Sequence, residues 1–302
     1  MFIKRTDLAL EARELWQESA ERTTRLAGVK AIKSKQEGYP VTRVDILDER
    51  GEEALGKPRG SYLTIDLTTF WQRKADFFER AVRAVGSQLK SLLPPEGAAL
   101  VVGLGNRDVT PDALGPYVVD QLNITRHMVQ EYGRYGVEEE SRIVSAIVPG
   151  VMAQTGMETA EIVQGVVKET KPDMILVIDA LAARSSKRLN RTIQISDAGI
   201  HPGAGVGNHR SVITKETMGI PVIAIGVPTV VDAATIVNDT MENFIAALET
   251  SENLKGVGVV LQGYNSAEKY ELVKELIAPH LNGMFVTPKD IDETIRRISY
   301  TV

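Results

Sequence analysis

Two hydrophobic rhythms divide the chain. In the first third, apolar and polar residues alternate along Val41–Leu47 (VTRVDIL) and Tyr62–Leu67 (YLTIDL), the mark of half-buried strands, and Glu49-Arg50-Gly51 lies in the connection between them. A helical stripe precedes them over Leu8–Leu26, with Leu8, Ala12, Leu15 and Ala20 between charges and Thr6 and Asp7 standing before it as caps. Phe70–Leu93 reads as a long helix stopped by Pro94-Pro95. From there the rhythm changes to short, almost wholly apolar runs at Ala98–Val102, Ile143–Val148, Met174–Ile178 and Val222–Val227. Helical stretches separate or follow them: Pro111–Leu122, Glu158–Glu169, Asp232–Leu248, Ala267–Ala278 and Lys289–Ile298.

Runs that are apolar on both faces suit strands covered from both sides. The expected architecture is therefore α/β: a mostly parallel central sheet flanked by helices, carrying an added antiparallel ribbon at 41–67. No repeat, low-complexity tract or linker breaks the 302 residues, which read as one domain.

Composition narrows the functional classes. Lys plus Arg number 35 against 40 Asp plus Glu, a net charge of -5, which argues against direct nucleic-acid binding because phosphate backbones demand a basic face. With no cysteine, thiolate chemistry, thiolate zinc sites and disulfides are excluded, and an intracellular setting is expected. The N-terminus MFIKRTDLALEARE lacks the apolar stretch of an export signal. The longest apolar run, Ile220–Val231, has 12 residues with two prolines, short of the roughly 20 that span a bilayer, so a cytoplasmic protein without a membrane partner is expected.

In open α/β sheets, ligands gather where loops leave the carboxyl ends of strands. Four loops qualify: Gly103–Asp112, Pro149–Gly156, Asp179–Ser186 and Pro228–Asp232. The first, in LVVGLGNRDVTPDALGP, opens like a phosphate-binding turn but places Asp112 where the anion would sit, so nucleotide binding is not expected there. With Thr110 as N-cap and Pro111 at the first helical position, Asp112 is either a dipole-complementing acid or a carboxylate held ionised as a general base. Asp179 closes the apolar run MILVID, as a turn cap or as a desolvated, protonated general acid. Asp232 reads as the N-cap of the next helix or as an acid at the mouth of a substrate site. The loop GIHPGAGVGNHR, Gly199–Arg210, is a surface for wrapping a peptide or anion, or else a hairpin or assembly contact. His-Glu-x-x-His, Gly-x-Ser-x-Gly, Asp-Thr-Gly and Asp-Ser-Gly are all missing, so paired aspartates are the remaining hydrolytic candidates.

Taken in order, VVGLGNRDVTPDALGP, VIDALAARS, HPGAGVGN and IGVPTVVDAATI resemble the germination proteases of spore-forming bacteria over nearly the whole chain. The resemblance implies an endopeptidase that cleaves small acid-soluble, DNA-coating spore proteins, on a central fold similar to that of hydrogenase-maturation peptidases. It implies catalytic acids at Asp112 and Asp179, and a homotetrameric zymogen of the forespore and spore core that removes its own N-terminal segment. No cofactor or metal is called for. On this reading Asp112 activates water and protonated Asp179 donates to the carbonyl oxygen or the leaving amine. Gly103, Gly105 and Asn106 supply oxyanion donors, while His201 and Arg210 grip acidic substrate side chains. Family substrates are cut after the first glutamate of a Thr-Glu-(Phe/Ile)-Ala-Ser-Glu type sequence. Thr6-Asp7-Leu8-Ala9-Leu10-Glu11 repeats that pattern, which predicts self-cleavage between Asp7 and Leu8 and a propeptide of residues 1–7. The same residues also begin the predicted first helix. Two other readings stay open at this point, a hydrogenase-maturation-type peptidase and a non-catalytic peptide-binding module.

Overall fold

The structure is a computed structural model that describes residues 6–19, 26–68, 76–138, 141–202, 211–233, 235–237, 239–240 and 283–302. Its strands are β1 (Val29–Gln36), β2 (Tyr39–Ile46), β3 (Gly60–Asp66), β4 (Ala99–Gly103), β5 (Val144–Ile147), β6 (Met174–Ala183), β7 (Thr192–Ser196), β8 (Val222–Asp232) and β9 (Phe285–Val286). They form one sheet in the order β1-β2-β3-β7-β8-β6-β4-β5, with β9 pairing β8.

The sheet as a whole is mixed, a parallel part joined to the antiparallel ribbon. Its parallel part is β5-β4-β6-β8, built from the apolar runs. Strand β7 then enters antiparallel between β8 and β3, which joins the ribbon to the main sheet edge to edge. That ribbon has three strands, because β1 pairs with β2 along its whole length. Lys30, Lys33 and Lys35 charge this outermost strand, a usual guard against edge-to-edge pairing. Helix Glu49–Leu55 fills the connection from β2 to β3.

Alternation along each strand sends side chains to two cores. On one face, Val101, Ile178, Ile195 and Ile225 pack under helices Phe77–Leu92, Leu114–Gln121 and Ile291–Ser299, which contribute Ala81, Leu114 and Ile295 among others. On the opposite face, Leu100, Val102, Val177 and Ala224 meet Ala160 and Val163 of helix Thr159–Thr170, together with Leu8. The N-terminal helix runs Ala9–Ser19 and packs Ala9 and Ala12 against Val44, Ile46 and Tyr62 of the ribbon.

Two strand ends differ from expectation. Strands β6 and β8 run to Ala183 and Asp232 instead of ending at Ile178 and Val227, because they pair with each other past a register shift after Leu181. Asp179 therefore lies within a strand, and Asp232 ends one, pairing with Phe285 directly before helical residue 233. The segment after it is helical at 233, 235–237 and 239–240. The remainder of the predicted helix to Leu248, the stretch Ala267–Ala278, the end of the first predicted helix and the start of the one at Phe70 lie outside the described residues. No helix among the described residues is long and apolar enough to cross a membrane.

Candidate active site

Register places the site. Gly226 of β8 pairs with Asp179 on one side and with Gln194 on the other. Directly paired residues present their side chains on the same face, so Gln194 and Asp179 flank a residue with no side chain, about 10 Å apart by strand spacing. The gap is needed: a Cβ on Gly226 would lie 2.3 Å from Leu181 Cδ1. A cavity of about 510 Å³ opens there, lined by Asp112, Asp179, Gly105, Gln194, Lys57 and His201, and by Asp7 of the N-terminal segment.

Asp112 reaches this cavity through the turn after β4. Thr110–Asp112 form a single 3-10 turn, and the Asn106 main-chain N–H donates to Asp112 Oδ2 at 2.8 Å. Gly105, at φ +109°, permits that approach, since a Cβ there would stand 1.9 Å from the Asp112 carbonyl oxygen. Asp179 is only 6% exposed and accepts the N–H of Ala180 at 2.9 Å. The two acids thus share one cavity although 67 positions separate them in sequence.

The other predicted residues divide. His201 lines the cavity, and enclosure, then the charge of Lys57, push its pKa below the usual histidine value, opposed by Asp7. Asp232 is not among the lining residues. Gly103 serves packing, because a Cβ there would meet the Gly115 carbonyl at 2.4 Å where helix Leu114–Gln121 crosses β4. The oxyanion donors expected from that turn are largely committed elsewhere: Leu104 N–H donates to the Ile178 carbonyl, and Asn106 N–H to Asp112. The Asn106 side chain accepts from Asp108 N and from Gln154 Nε2, which keeps it in the loop. Arg210 lies outside the described residues. Among the described residues no group of three or more His, Cys, Asp or Glu is arranged to hold a metal ion.

The N-terminal segment occupies the other side of the cavity. Helix Ala9–Ser19 begins only after the Asp7–Leu8 bond, so Thr6, Asp7 and Leu8 run outside it. Asp7 N–H donates to the Ala182 carbonyl at 3.1 Å, and Ala182 N–H donates to Asp7 Oδ2 at 2.9 Å, fastening the segment to β6 three residues beyond Asp179. Lys57 Nζ donates to the Thr6 carbonyl at 2.9 Å. Leu8 is completely buried in the cluster that contains Leu100, Val102 and Leu104.

Glu11, 1% exposed, accepts from Thr6 Oγ1, Arg184 N–H and Ser185 N–H and lies 3.5 Å from the Arg188 guanidinium. Burial is the larger effect on its carboxyl and raises its pKa against those contacts. Lys57 is affected in the opposite sense. Desolvation lowers its pKa while Asp7 and Glu11 pull it back. Two residues that line or shape this seat, Lys57 and Gln194, were not among the sequence candidates. The alternation of TIQIS was the available signal for the strand that carries Gln194.

Comparison with known proteins gives the same direction. A family model described as germination protease matches residues 9–255. A germination protease of Caldanaerobacter subterraneus subsp. tengcongensis is 48% identical over 301 residues, covering 99% of this chain and 91% of the relative. One from Clostridium perfringens (strain ATCC 13124) is 45% identical over 303 residues, with 99% and 92% covered. One from Bacillus cereus (strain AH187) is 40% identical over an alignment of 339 residues, with 99% and 91% covered. Among solved structures, the [NiFe] hydrogenase maturation protease HycI of Thermococcus kodakarensis KOD1 matches with a TM-score of 0.31 and 19% identity, over 47% of this chain and 80% of that one. A likeness of that size adds nothing to the assignment. The sequence relatives decide it: the chain belongs to the germination protease family.

Proposed function

We propose that the protein is a self-processing aspartate-dependent endopeptidase of germinating spores, and that small acid-soluble spore proteins are its substrates. One observation carries the reading. The segment Thr6–Glu11, which repeats the family's substrate pattern, puts Asp7 in the lining of the cavity that Asp112 and Asp179 also line. Each distinctive position of that pattern has its own contact: the acid at Asp7 with Ala182 N–H, the large apolar Leu8 with the core, and the second acid at Glu11 with Arg184 N–H, Ser185 N–H and Arg188. A substrate entering in trans meets the same contacts once the segment has left.

In this scheme Asp112 is the base. Each acid accepts one main-chain N–H, but Asp112 is only half-buried whereas Asp179 is 6% exposed, so charge is favoured on Asp112, which takes a proton from water. The hydroxide adds to the carbonyl carbon of residue 7, and Asp179, buried and short of water, delivers a proton to the departing Leu8 nitrogen. The resemblance also brings a homotetramer and a forespore location into the proposal.

The test is Asp112→Asn and Asp179→Asn, made separately, checked for folding by circular dichroism and assayed on a purified small acid-soluble spore protein. Each is expected to lose about 10²- to 10⁴-fold in cleavage rate, the usual contribution of a positioned acid or base. Near-parent cleavage by either folded variant removes that residue from the mechanism.

A further inference from the structure

Gln194 makes two contacts that no part of the scheme above uses. Its Nε2 donates to the carbonyl oxygen of Asp7 at 3.2 Å, and its Oε1 accepts the N–H of Ala9 at 2.8 Å. The two bonds bracket the Asp7–Leu8 peptide bond, one on the carbonyl that would be attacked and one on the second amide beyond it. We propose that Gln194 is a catalytic residue that clamps the scissile peptide and donates to the oxyanion formed on residue 7, an inference that rests on reading Thr6–Glu11 as the bound substrate.

Three features of the site support this role. The first is orientation. The Ala9 N–H claims the oxygen end of the side-chain amide, so the nitrogen end must face the Asp7 carbonyl; the flipped amide would set N–H against N–H and oxygen against oxygen. The second is register: Gln194 and Asp179 lie on the same face on either side of Gly226, so the clamp and the proton donor stand opposite each other across the bare floor of the cavity. The third is need. The turn after β4 has committed Leu104 N–H and Asn106 N–H to Ile178 and Asp112. A neutral amide also suits the place, since it donates at every pH and, at 8% exposure, does so away from bulk water.

The step balances with the groups already named. Water loses a proton to Asp112 and its oxygen bonds to the carbonyl carbon. The carbonyl π pair moves onto the oxygen that faces Gln194 Nε2. On collapse the C–N bond breaks, and the Leu8 nitrogen takes the proton of Asp179. Gln194 exchanges no proton; its bond to the oxygen strengthens as charge builds there, which is how an oxyanion donor lowers a barrier.

The experiment compares full-length parent with Gln194→Met by following the first-order loss of residues 1–7 by intact mass, while amide exchange at Asp7 reports whether the segment stays on β6. The expected result is a cleavage rate, corrected for the docked fraction that Asp7 protection reads, slowed about 10²- to 10³-fold, the usual loss for one oxyanion donor. Cleavage by Gln194→Met within about threefold of the parent overturns the proposal. A second arm needs no variant. The parent is given two synthetic peptides containing Thr-Asp-Leu-Ala-Leu-Glu, one natural and one with an ester in place of the Leu–Ala amide. Loss of that N–H leaves the Gln194 oxygen unpaired and is expected to lower kcat/KM at least about tenfold. Equal kcat/KM for the two peptides also overturns it. Parent cleavage at a bond other than Asp7–Leu8 removes the substrate reading itself, and that result does not depend on Gln194.

Discussion

Truncating Leu8 tests whether the N-terminal segment is held as a seated peptide rather than resting on the surface. Leu8→Ala removes three carbons from a side chain with 0% exposure, packed with Leu100, Val102, Leu104 and Val177. Transfer and cavity terms for such a truncation together cost about 3 kcal/mol. Because the segment's other anchors are hydrogen bonds from Ala182, Gln194 and Lys57, the cost falls on local release rather than on global unfolding. At 1.4 kcal/mol per factor of ten, the released population rises roughly 10²-fold. Amide exchange reads this at two reporters, Asp7 N–H on the Ala182 carbonyl and Ala9 N–H on Gln194, which are expected to lose protection together by about that factor. The midpoint of thermal unfolding is expected to move much less than a core truncation of this size normally moves it. Protection at both amides within about twofold of the parent would refute the docking energetics derived from Leu8.

Further outcomes follow from the same geometry. Gly226→Ala places a Cβ 2.3 Å from Leu181 Cδ1 and fills the gap between Gln194 and Asp179. An overpacking cost of about 1–3 kcal/mol and a fall in cleavage beyond that of the stability loss are expected from thermal melts and a spore-protein assay; parent-level cleavage contradicts the placement of the site. Docking is also expected to depend on pH through Glu11. Its carboxyl is pushed above the ordinary glutamate value when docked, so docking takes up a proton, is strongest below that ordinary value, and weakens as pH rises through the raised one. Protease susceptibility of the N-terminus should rise with pH in the parent, and Glu11→Gln should flatten that profile.

The parallel core was legible because ALVVG, MILVID and VIAIGV are apolar on both faces, a pattern that only double coverage explains. Its limits were not. Asp179 looked like a strand end because a carboxylate usually marks departure from a core. Here the strand continues through ALAA because β8 follows it to Val231, and the small alanines leave room for the N-terminal segment that bonds to Ala182. Strand β1 was hidden by Lys30, Lys33 and Lys35, whose charge belongs to its edge position. Asp112 and Asp179 could be proposed from sequence because each lies after an apolar run, and the structure lines one cavity with both. Gln194 could not, because a polar residue alternating with isoleucines reads as the wet face of a strand, and its burial comes from a segment almost two hundred positions away that folds over it. Gly103 and Asn106 were assigned to chemistry by proximity to the turn, whereas close packing on Gly115 and the hydrogen bonding of the loop account for them.

On the proposed reading, the chain holds its own Asp7–Leu8 bond as substrate at the cavity lined by Asp112 and Asp179. Intact mass of the purified full-length protein, followed over hours beside Asp112→Asn and Asp179→Asn, tests it most directly. The expected result is a parent product that begins at Leu8 and unchanged mass in both variants. A parent product beginning elsewhere, or a Leu8 product from either folded variant at the parent rate, would contradict it.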